Sequence, residues 1–351
     1  MVSPKVRVLI VDDSAIFRRF ISSVLAADPG IEVVGAAADP YEARGLILSL
    51  KPHVLTLDIE MPKMDGITFL KILASQHPVP AVVFSSLSPS GSQYALQALE
   101  SGAVDVLAKP ANGVFGADLA RELVSKVKAA ASANRIQRPL APPSMVAYQS
   151  ALNRTAPGQI ILIGSSTGGT EALKDIIPAL PVNMPPICIA QHIPSGFSAA
   201  LARRLNDLSS LEVREAAEGD VLARGTVLIA PGDQHMVLIK RGSDGYAVRL
   251  KQGPKVNHCR PSVDVLFESA APLVGHRAVA GILTGMGDDG ARGLLALRNA
   301  GCRTFAQDEK TCVVYGMPRK AFEAGAVQKM VPLEKVAEHI VKSVAASAAS
   351  A

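Results

Sequence analysis

The first third of the chain alternates short apolar runs with longer amphipathic segments. Each apolar run is bounded by polar or turn-forming residues, as a buried β-strand is. The longer segments, such as residues 16–26 and 67–75, space their apolar side chains as one face of a helix does. This alternation predicts a parallel sheet covered by helices on both faces. The predicted strands are residues 6–11, 32–36, 54–57, 81–84 and 105–108.

The second half of the chain repeats this pattern with one exception. Helical segments such as residues 171–180 separate some of its apolar runs, which predicts a second α/β domain with a largely parallel sheet. The exception is a pair of strand-like runs, 236–240 and 246–250, joined by the glycine-containing residues 241–245. These predict an inserted β-hairpin. The other predicted strands are residues 160–164, 187–190, 227–230 and 279–283.

A change of composition separates the two halves. Residues 123–170 contain no Asp or Glu but several Lys and Arg, and the prolines at 139, 142 and 143 interrupt any helix there. The length of 351 residues also exceeds the roughly 150 residues of a typical domain. We therefore predict a first domain over residues 5–127, a linker over residues 128–156 and a second domain over residues 157–345.

The composition is that of a globular protein. Hydrophobic residues make up 48% of the chain and charged residues 19%, and no apolar stretch approaches the roughly 20 residues that cross a bilayer. The first apolar run is too short for the core of a signal peptide, so we expect a cytoplasmic protein with no direct membrane insertion. The net charge is +5, but the chain has no Trp and few aromatic residues. Since it also lacks a dense basic tract, we do not expect it to bind nucleic acid.

The cysteines are scattered and lack the paired spacing of metal sites or redox motifs. We expect them to be reduced and structural. They are Cys188, Cys259, Cys302 and Cys312.

Polar side chains follow the predicted strands of the first domain, at the edge where open α/β sheets bind their ligands. They are Asp12, Asp13, Asp58, Ser85 and Lys109. Three carboxylates close together favour a divalent cation, and oxygen ligands suit Mg²⁺. Asp58 could then attack a phosphoryl donor while Lys109 and Ser85 contact the incoming oxygens. For any single acid, capping of the next helix is the simpler interpretation, but five matching positions favour a site.

In these residues the segment 5–127 resembles the receiver domain of two-component response regulators. The matching motifs are Val-Asp-Asp-Ser at 11–14, Leu-Asp-Ile-Glu-Met-Pro-x-Met-Asp-Gly at 57–66, Ser85, and Lys109-Pro110. The resemblance implies a flavodoxin-like, doubly wound fold and phosphorylation of Asp58 by a chemotaxis histidine kinase. It implies that Asp13, Asp58 and the backbone carbonyl of Glu60 hold Mg²⁺, with Asp12 in the same acidic group. It also implies a cis bond at Lys109-Pro110.

The second domain has a candidate nucleophile after its first strand. Gly164-Ser165-Ser166-Thr167-Gly168 fits G-x-S-x-G between a predicted strand and a predicted helix, which favours a sharp turn that exposes Ser166. The stretch lacks both the lysine of a phosphate-binding loop and the spacing of a dinucleotide-binding fingerprint, so nucleotide binding is the weaker alternative. A glycine-rich turn with a serine that only caps the helix is the other alternative.

A nucleophilic serine needs a base, and the base needs a carboxylate that orients it. His192 follows the predicted strand 187–190 and should therefore share a sheet edge with Ser166. Asp288 and Asp289 follow the strand 279–283, and one of them should orient His192 while the other caps the next helix. Such hydrolysis needs no cofactor. Two histidines in loop-like contexts are weaker candidates for the base: His235 and His258.

Residues 157–345 resemble the chemotaxis protein-glutamate methylesterase family. The matching motifs are Ile-Gly-x-Ser-Thr-Gly-Gly-Thr-Glu-Ala-Leu at 163–173, Gln191-His192 with Pro194, Gly196 and Phe197, Ile-Ala-Pro-Gly-Asp at 229–233, Arg-Pro-Ser-Val-Asp at 260–264, and Thr-Gly-Met-Gly at 284–287. The resemblance implies that Ser166 is the nucleophile, His192 the base and Asp289 its partner. It implies hydrolysis of glutamate methyl esters on methyl-accepting chemotaxis receptors, with glutamine deamidation as a second activity.

The sequence departs from this family pattern at three positions. Ser165 stands where the family often has Ala, Ile193 where Met is common, and Asp288 where Asn is frequent. The residues alone therefore leave open the choice between Ser165 and Ser166 and between Asp288 and Asp289. None of the departures removes a group that hydrolysis requires.

A phosphate-accepting domain joined to a hydrolase suggests control of one by the other. We hypothesise that the unphosphorylated first domain covers the second site and that phosphorylation favours its opening.

Two alternatives belong to other functional classes. A DNA-binding response regulator would need a short, basic helix-turn-helix output, which the long glycine-rich second half does not resemble. A docking module without catalysis would keep the fold but make Ser166, His192 and Asp289 incidental.

Overall fold

The structure, a computed structural model, describes residues 4–110, 116–133, 158–242 and 245–348. The chain divides into two compact units, Met1–Ala133 and Asn134–Ala351. Each unit is built on its own parallel sheet.

The first unit holds a five-stranded sheet in the order β2-β1-β3-β4-β5, in which every neighbouring pair is parallel. This is the predicted doubly wound α/β fold, because consecutive parallel strands must be connected by helical crossovers. The strands are β1 Val6–Val11, β2 Ile31–Ala37, β3 Val54–Asp58, β4 Ala81–Ser85 and β5 Asp105–Ala108. The helices are α1 Ala15–Ala26, α2 Pro40–Leu50, α3 Gly66–Gln76, α4 Pro89–Glu100 and α5 Ala117–Ala131.

Helix α1 shows how the sequence builds this unit. Phe17, Ile21 and Leu25 recur every four residues and are all buried, so one stripe of the helix packs into the core. Burial of each such side chain contributes about 1.5–3 kcal/mol. The hydroxyl of Ser14 accepts the amide hydrogen of Phe17, which satisfies one of the free donors at the helix start.

The second unit holds a seven-stranded sheet in the order β14-β13-β12-β6-β7-β9-β8, again with every pair parallel. Strands β10 and β11 form the predicted antiparallel hairpin beside it. The strands are β6 Ile160–Ser165, β7 Ile187–Gln191, β8 Glu212–Glu215, β9 Thr226–Ile229, β10 His235–Arg241, β11 Gly245–Lys251, β12 Ala278–Ile282, β13 Arg303–Gln307 and β14 Lys329–Val331. The helices are α6 Gly169–Ile176, α7 Phe197–Leu208, α8 Val263–Val274, α9 Ala291–Asn299, α10 Met317–Glu323 and α11 Leu333–Ala348, with 3₁₀ turns at Ile177–Ala179 and Gly275–Arg277.

Both sheets place their candidate residues where the chain reverses its direction of winding. In the first sheet β1 lies between β2 and β3, and in the second sheet β6 lies between β7 and β12. At such switch points the loops after neighbouring strands diverge to opposite faces and leave a crevice. Asp12 and Asp58 border the first crevice, while Ser166 and Asp289 border the second.

The structure differs from two predictions about the first unit and its boundary. The linker was predicted to begin at residue 128, but α5 continues to Ala131, because its alanines favour helix and the prolines come later. The remainder of the predicted linker, residues 134–156, lies outside the described residues. The Lys109–Pro110 bond is not cis; among the described residues the cis bond is at Arg260–Pro261.

Candidate functional sites

Three carboxylates meet at the switch point of the first sheet. Asp12 follows β1 and Asp58 ends β3, and both are buried, whereas Asp13 is exposed. One oxygen from each carboxylate lies within 4.8 Å of the other two. The structure thus brings together the acids that the sequence singled out.

Lys109 lies between the two buried acids. Its Nζ is 2.8 Å from Asp12 Oδ2 and 2.6 Å from Asp58 Oδ2, and it is 4.9 Å from the ring centroid of Phe17. Burial is the main cause that raises the pKa of Asp58 to about 6, and the neighbouring Asp12 adds to it although Lys109 opposes it. Burial likewise raises the pKa of Asp12. Charge on these carboxylates is therefore costly, and a further cation would be favourable there.

The two remaining residues predicted for this site have other partners. Ser85 is buried, and its hydroxyl donates to the carbonyl of Gly91 at 2.8 Å. The side chain of Glu60 accepts a hydrogen bond from Ser86 at 2.8 Å, while its backbone amide donates to Asp58 Oδ1 at 3.2 Å. The Glu60 carboxylate is thus directed to Ser86 and not to the acidic group, in keeping with a role for its backbone alone.

The acidic group has the donor set that Mg²⁺ requires. Its ligand atoms are carboxylate oxygens, and Mg²⁺ prefers oxygen ligands and keeps several waters. Asp12 Oδ2 is buried, and its nearby cation is Lys109 Nζ at 2.8 Å. The single lysine charge faces two buried carboxylates and the exposed Asp13, so the residues fit a further cation.

In the second unit, a tight turn after β6 separates the roles of the two serines. Ser165 is fully buried, and its hydroxyl donates to Gln191 Oε1 at 2.6 Å. The side-chain Nε2 of Gln191 in turn donates to the backbone carbonyls of Ser166, at 3.0 Å, and of His192, at 2.9 Å. Ser165 therefore fastens the turn to β7, while Ser166 is the half-buried serine.

Glycines allow this turn to form. Gly168 has φ 79°, in the left-handed region that favours glycine. A Cβ on Gly285 would lie 2.4 Å from Met317 Sδ and 2.7 Å from Ser166 Cβ, so only glycine lets the loop after β12 lie this close to the candidate nucleophile. The backbone amide of Ser166 donates to the carbonyl of Thr284 at 3.0 Å, which fixes that approach.

His192 and Asp289 form an ion-pair geometry next to this turn. His192 Nε2 lies 2.8 Å from Asp289 Oδ2, and the backbone amide of His192 donates to Ser165 O at 3.0 Å. Asp288, the other candidate acid, is exposed, and its carbonyl accepts the amide of Ala291 at 3.1 Å. The structure therefore places Asp289, not Asp288, beside the histidine.

Asp289 is held by several donors besides His192. Its oxygens accept hydrogen bonds from Ser262 Oγ at 2.8 Å, from the backbone amide of Val263 at 2.7 Å and from Asn257 Nδ2 at 3.0 Å. Burial disfavours its charge, but the hydrogen bond with His192 and those from Ser262 and Val263 lower the pKa of Asp289. The carboxylate thus stays ionised although it is buried.

The other ring nitrogen of His192 faces a thiol. Cys259 Sγ lies 3.5 Å from His192 Nδ1. In the described part of the chain, Ser166 Oγ forms no hydrogen bond with the His192 ring. Burial favours a neutral ring, but Cys259 and the hydrogen bond with Asp289 outweigh it and raise the pKa of His192. The expectation that Cys259 is merely structural is therefore incomplete.

The two weaker histidine candidates, His235 and His258, form no hydrogen bond with Asp289 in the ranges that the structure describes. His235 is buried, with Nε2 2.9 Å from the carbonyl of Pro254 and Nδ1 accepting the amide of Ser262 at 3.2 Å. His258 is exposed. Sequence reasoning did not assign functions to Asn257, Ser262 or Cys259, because the loop that carries them has no periodic pattern that places it near β7.

Among the described residues, none of the helices combines the length and the apolar character that a membrane span requires.

Comparison with known proteins assigns both halves of the chain. The family described as CheB methylesterase matches residues 161–340, and the response regulator receiver domain matches residues 8–114. A protein of Anaeromyxobacter dehalogenans named protein-glutamate methylesterase/protein-glutamine glutaminase 4 is 51% identical over 339 residues, covering 96% of this chain and 95% of its own length. A protein of Syntrophus aciditrophicus named protein-glutamate methylesterase/protein-glutamine glutaminase 2 is 48% identical, covering 97% of this chain and 99% of its own.

A solved structure supports the assignment of the second half of the chain to the methylesterase family. The crystal structure of the Thermotoga maritima CheB methylesterase catalytic domain is 41% identical to this chain with a TM-score of 0.52. It covers 53% of this chain and is itself covered over 99% of its length. The matched share corresponds in size to one of the two domains.

Proposed function

Because the chain belongs to the CheB methylesterase family and carries a response regulator receiver domain before its catalytic domain, we propose that it hydrolyses glutamate methyl esters on methyl-accepting chemotaxis receptors. The product would be a free glutamate carboxylate and methanol. The observation that carries the proposal is the His192–Asp289 pair beside the Ser166 turn. The relatives named as glutaminases support deamidation of receptor glutamines as a second activity of the same site.

In this proposal Ser166 attacks the ester carbonyl. Asp289 holds the proton of His192 on Nε2, at 2.8 Å, so Nδ1 keeps the lone pair that a general base needs. Ser166 therefore has to present its hydroxyl to Nδ1, a contact that often tightens only when substrate binds. The imidazolium then gives the proton to the departing methoxide, and water cleaves the acyl-enzyme by the reverse sequence.

Backbone amides would stabilise the negative charge on the carbonyl oxygen. The amide of Met286 is a candidate, because within the described residues it donates no hydrogen bond and it follows Gly285, which packs against Ser166. The amide of Thr167 is the other candidate. Loss of one such donor typically costs about 10²–10³ in turnover.

The proposal is tested by methanol release from methylated receptor membranes. The unaltered chain should release methanol, and Ser166→Ala should lose the release while keeping its fold. Retained release in Ser166→Ala would favour another nucleophile. Absence of release from the unaltered chain would leave a docking module, or a different ester or amide substrate, as the better interpretation.

We further propose that phosphorylation of Asp58 by a histidine kinase controls this hydrolysis. Asp12, Asp13 and Asp58 would hold Mg²⁺, with the Glu60 carbonyl as a fourth oxygen; when bound, the cation supplies positive charge that offsets the carboxylates and the phosphoryl oxygens. Lys109 Nζ lies 2.6 Å from Asp58 Oδ2. Its positive charge would therefore contact the oxygens of a phosphoryl group bound to Asp58. Phosphorylation adds about −1.5 to −2 charges at this point.

Control by phosphorylation is tested with a small-molecule phosphodonor. Methanol release from the unaltered chain should rise when phosphodonor and Mg²⁺ are added together. Asp58→Asn should stay at its basal rate, because the amide cannot accept the phosphoryl group. Equal release from Asp58→Asn and the phosphorylated chain would contradict this control and leave the hydrolytic site unaffected.

A further inference from the structure

The four cysteines of the second unit fall into two classes. Cys188, Cys302 and Cys312 are buried, whereas Cys259 is partly exposed. Burial raises the pKa of the Cys188 and Cys302 thiols to about 12, and it is the main cause of the raised pKa of Cys312. Thiols in apolar surroundings are inert, since the thiolate is the reactive form.

Cys259 differs because its thiol meets an oriented imidazole. Cys259 Sγ is 3.5 Å from His192 Nδ1, and His192 Nε2 is 2.8 Å from Asp289 Oδ2. Sγ also lies 3.4 Å from the carbonyl oxygen of Asn257, so the thiol hydrogen has two acceptors within reach, that carbonyl and the imidazole. Through the imidazole the thiol is linked to the buried carboxylate. A nucleophile beside a base that a third group orients is the arrangement of a cysteine hydrolase.

The loop holds the thiol firmly in this place. The backbone of Cys259 exchanges two hydrogen bonds with Val256, at 2.8 and 3.1 Å. The next residue, Arg260, donates from Nε to Asp233 Oδ1 at 2.9 Å and from Nη1 to the carbonyl of Gly253 at 2.5 Å. Since the backbone of Cys259 and the side chain of Arg260 are both fixed, the contact of the thiol with His192 is a built feature of the loop.

We propose that Cys259 is a reactive thiol that shares its base with Ser166 and is modified by soft carbon electrophiles. In the reaction Sγ forms a bond to the electrophilic carbon, the leaving group departs with its bonding electrons, and the thiol proton passes to His192 Nδ1. With iodoacetamide a carbon–sulfur bond forms, the carbon–iodine bond breaks and iodide leaves. No oxidant or second reactant is needed.

The modification would also stop hydrolysis, an effect that rests on the proposed function. Asp289 occupies Nε2, so Nδ1 is the nitrogen left for Ser166, and the adduct would stand beside it. An adduct on Cys259 would therefore keep the substrate and Ser166 away from His192 Nδ1. Hydrolysis would fall in proportion to the fraction of chains carrying the adduct.

Reactivity is tested by limiting iodoacetamide on the folded full-length chain, followed by mass spectrometry of its peptides. Cys259 should carry the first label, and Cys188, Cys302 and Cys312 should react only after denaturation. His192→Gln should slow the labelling of Cys259 by about tenfold, since this variant lacks the imidazole nitrogen that takes the thiol proton. Asp289→Asn should also slow it. The matched control is His258→Asn, which removes the exposed histidine next to Cys259 and should leave the labelling rate as it was.

Three results would overturn the proposal: first label on a buried cysteine, labelling of Cys259 no faster than that of free glutathione, or an unchanged rate in both His192→Gln and Asp289→Asn. Circular dichroism of each variant separates these results from misfolding. The labelling readout does not depend on any hydrolytic activity, so it stands even if methanol release is never seen. In an active preparation, alkylation should abolish hydrolysis by the unaltered chain and leave Cys259→Ser at its own untreated rate.

Discussion

At the level of single residues, the proposed base of the second site, His192, is an imidazole whose surroundings favour the protonated form. Cys259 and the hydrogen bond with Asp289 raise the pKa of His192, although burial opposes them. A general base acts in its neutral form, so a raised pKa moves the onset of activity to higher pH. The site should therefore work best on the alkaline side of neutrality.

This gives a prediction for the pH profile. The rate of methanol release should rise with pH through a midpoint above the ordinary value of about 6.5 for histidine. Cys259→Ser should move the midpoint to lower pH, because it removes the group that favours the imidazolium. A stopped assay across pH 5–10 measures both midpoints. An identical midpoint in the two proteins would show that Cys259 does not influence the base.

The buried acids of the first site make a prediction about stability. The pKa of Asp58 is raised from 3.8 to about 6, so the folded protein keeps a proton that the unfolded chain releases between these values. Stability from this group is complete below pH 3.8 and is lost as pH rises through about 6. Asp58→Asn avoids the loss and should be more stable at pH 7, by on the order of 2 kcal/mol.

Urea unfolding of the full-length chain without divalent cations measures this effect. The advantage of Asp58→Asn in the free energy of unfolding should be present at pH 7 and should disappear near pH 4. An Asp58→Asn variant that is less stable at pH 7 would mean that the ion pair with Lys109 outweighs the burial of the charge.

The sequence could predict the reactive residues that end strands, but not those that support them. Asp12, Asp58, Ser166, His192 and Asp289 all follow apolar runs, and the structure places each at a sheet edge. The sequence does not distinguish Ser165 from Ser166 or Asp288 from Asp289, because the two members of each pair differ in the direction of their side chains. Cys259 was not predictable as a partner of His192, since the contact joins residues 67 positions apart.

At the level of elements, the start of α3 is shaped around the first site. A Cβ on Gly66 would lie 2.3 Å from the carbonyl oxygen of Asp58 and 2.9 Å from Ile59 Cα. Both contacts are with backbone, which cannot move aside without shifting Asp58. Gly66 is therefore a requirement of the site, and the helix begins there because Asp65 caps it through the amide of Thr68 at 2.8 Å.

Two glycine substitutions test this requirement. Gly66→Ala should displace Asp58 and lower the rate of its phosphorylation, with a loss of stability of roughly 1–3 kcal/mol. The matched control is Gly45→Ala in α2, where an added Cβ meets nothing within 4 Å. It should stabilise the chain by about 0.5–1 kcal/mol, since alanine favours helix over glycine. Phosphorylation with a radiolabelled phosphodonor and thermal unfolding compare the two, and equal phosphorylation rates would contradict the account.

Most elements could be predicted from periodicity, and those left unpredicted have physical reasons. Buried strands such as β1 and β6 are continuous apolar runs, which is typical of parallel sheets. Strands β8, β13 and β14 contain at most two consecutive apolar residues each, so no apolar run marks them. Helix α5 extends to Ala131, into the first residues of the predicted linker, because the alanines there favour helix.

At the level of the whole molecule, the chain joins a receiver domain to a methylesterase domain through a segment outside the described residues. Each unit has its own core, so each should tolerate changes in the other. Substitution of Asp58 should leave the Ser166, His192 and Asp289 geometry intact, and substitution of Ser166 should leave Asp58 able to accept a phosphoryl group. Coupling between the units should then appear only as a change in rate.

The most direct test of the account is methanol release from methylated receptor membranes by two pairs of neighbouring variants. Ser166→Ala and Asp289→Asn should each lose about 10³-fold or more of the activity, because they remove the nucleophile and the group that orients the base. Ser165→Ala and Asp288→Asn, one residue away in each case, should stay within about tenfold of the unaltered chain. If Ser165→Ala or Asp288→Asn were instead the inactive member of its pair, the assignment of Ser166, His192 and Asp289 as the hydrolytic site would be wrong.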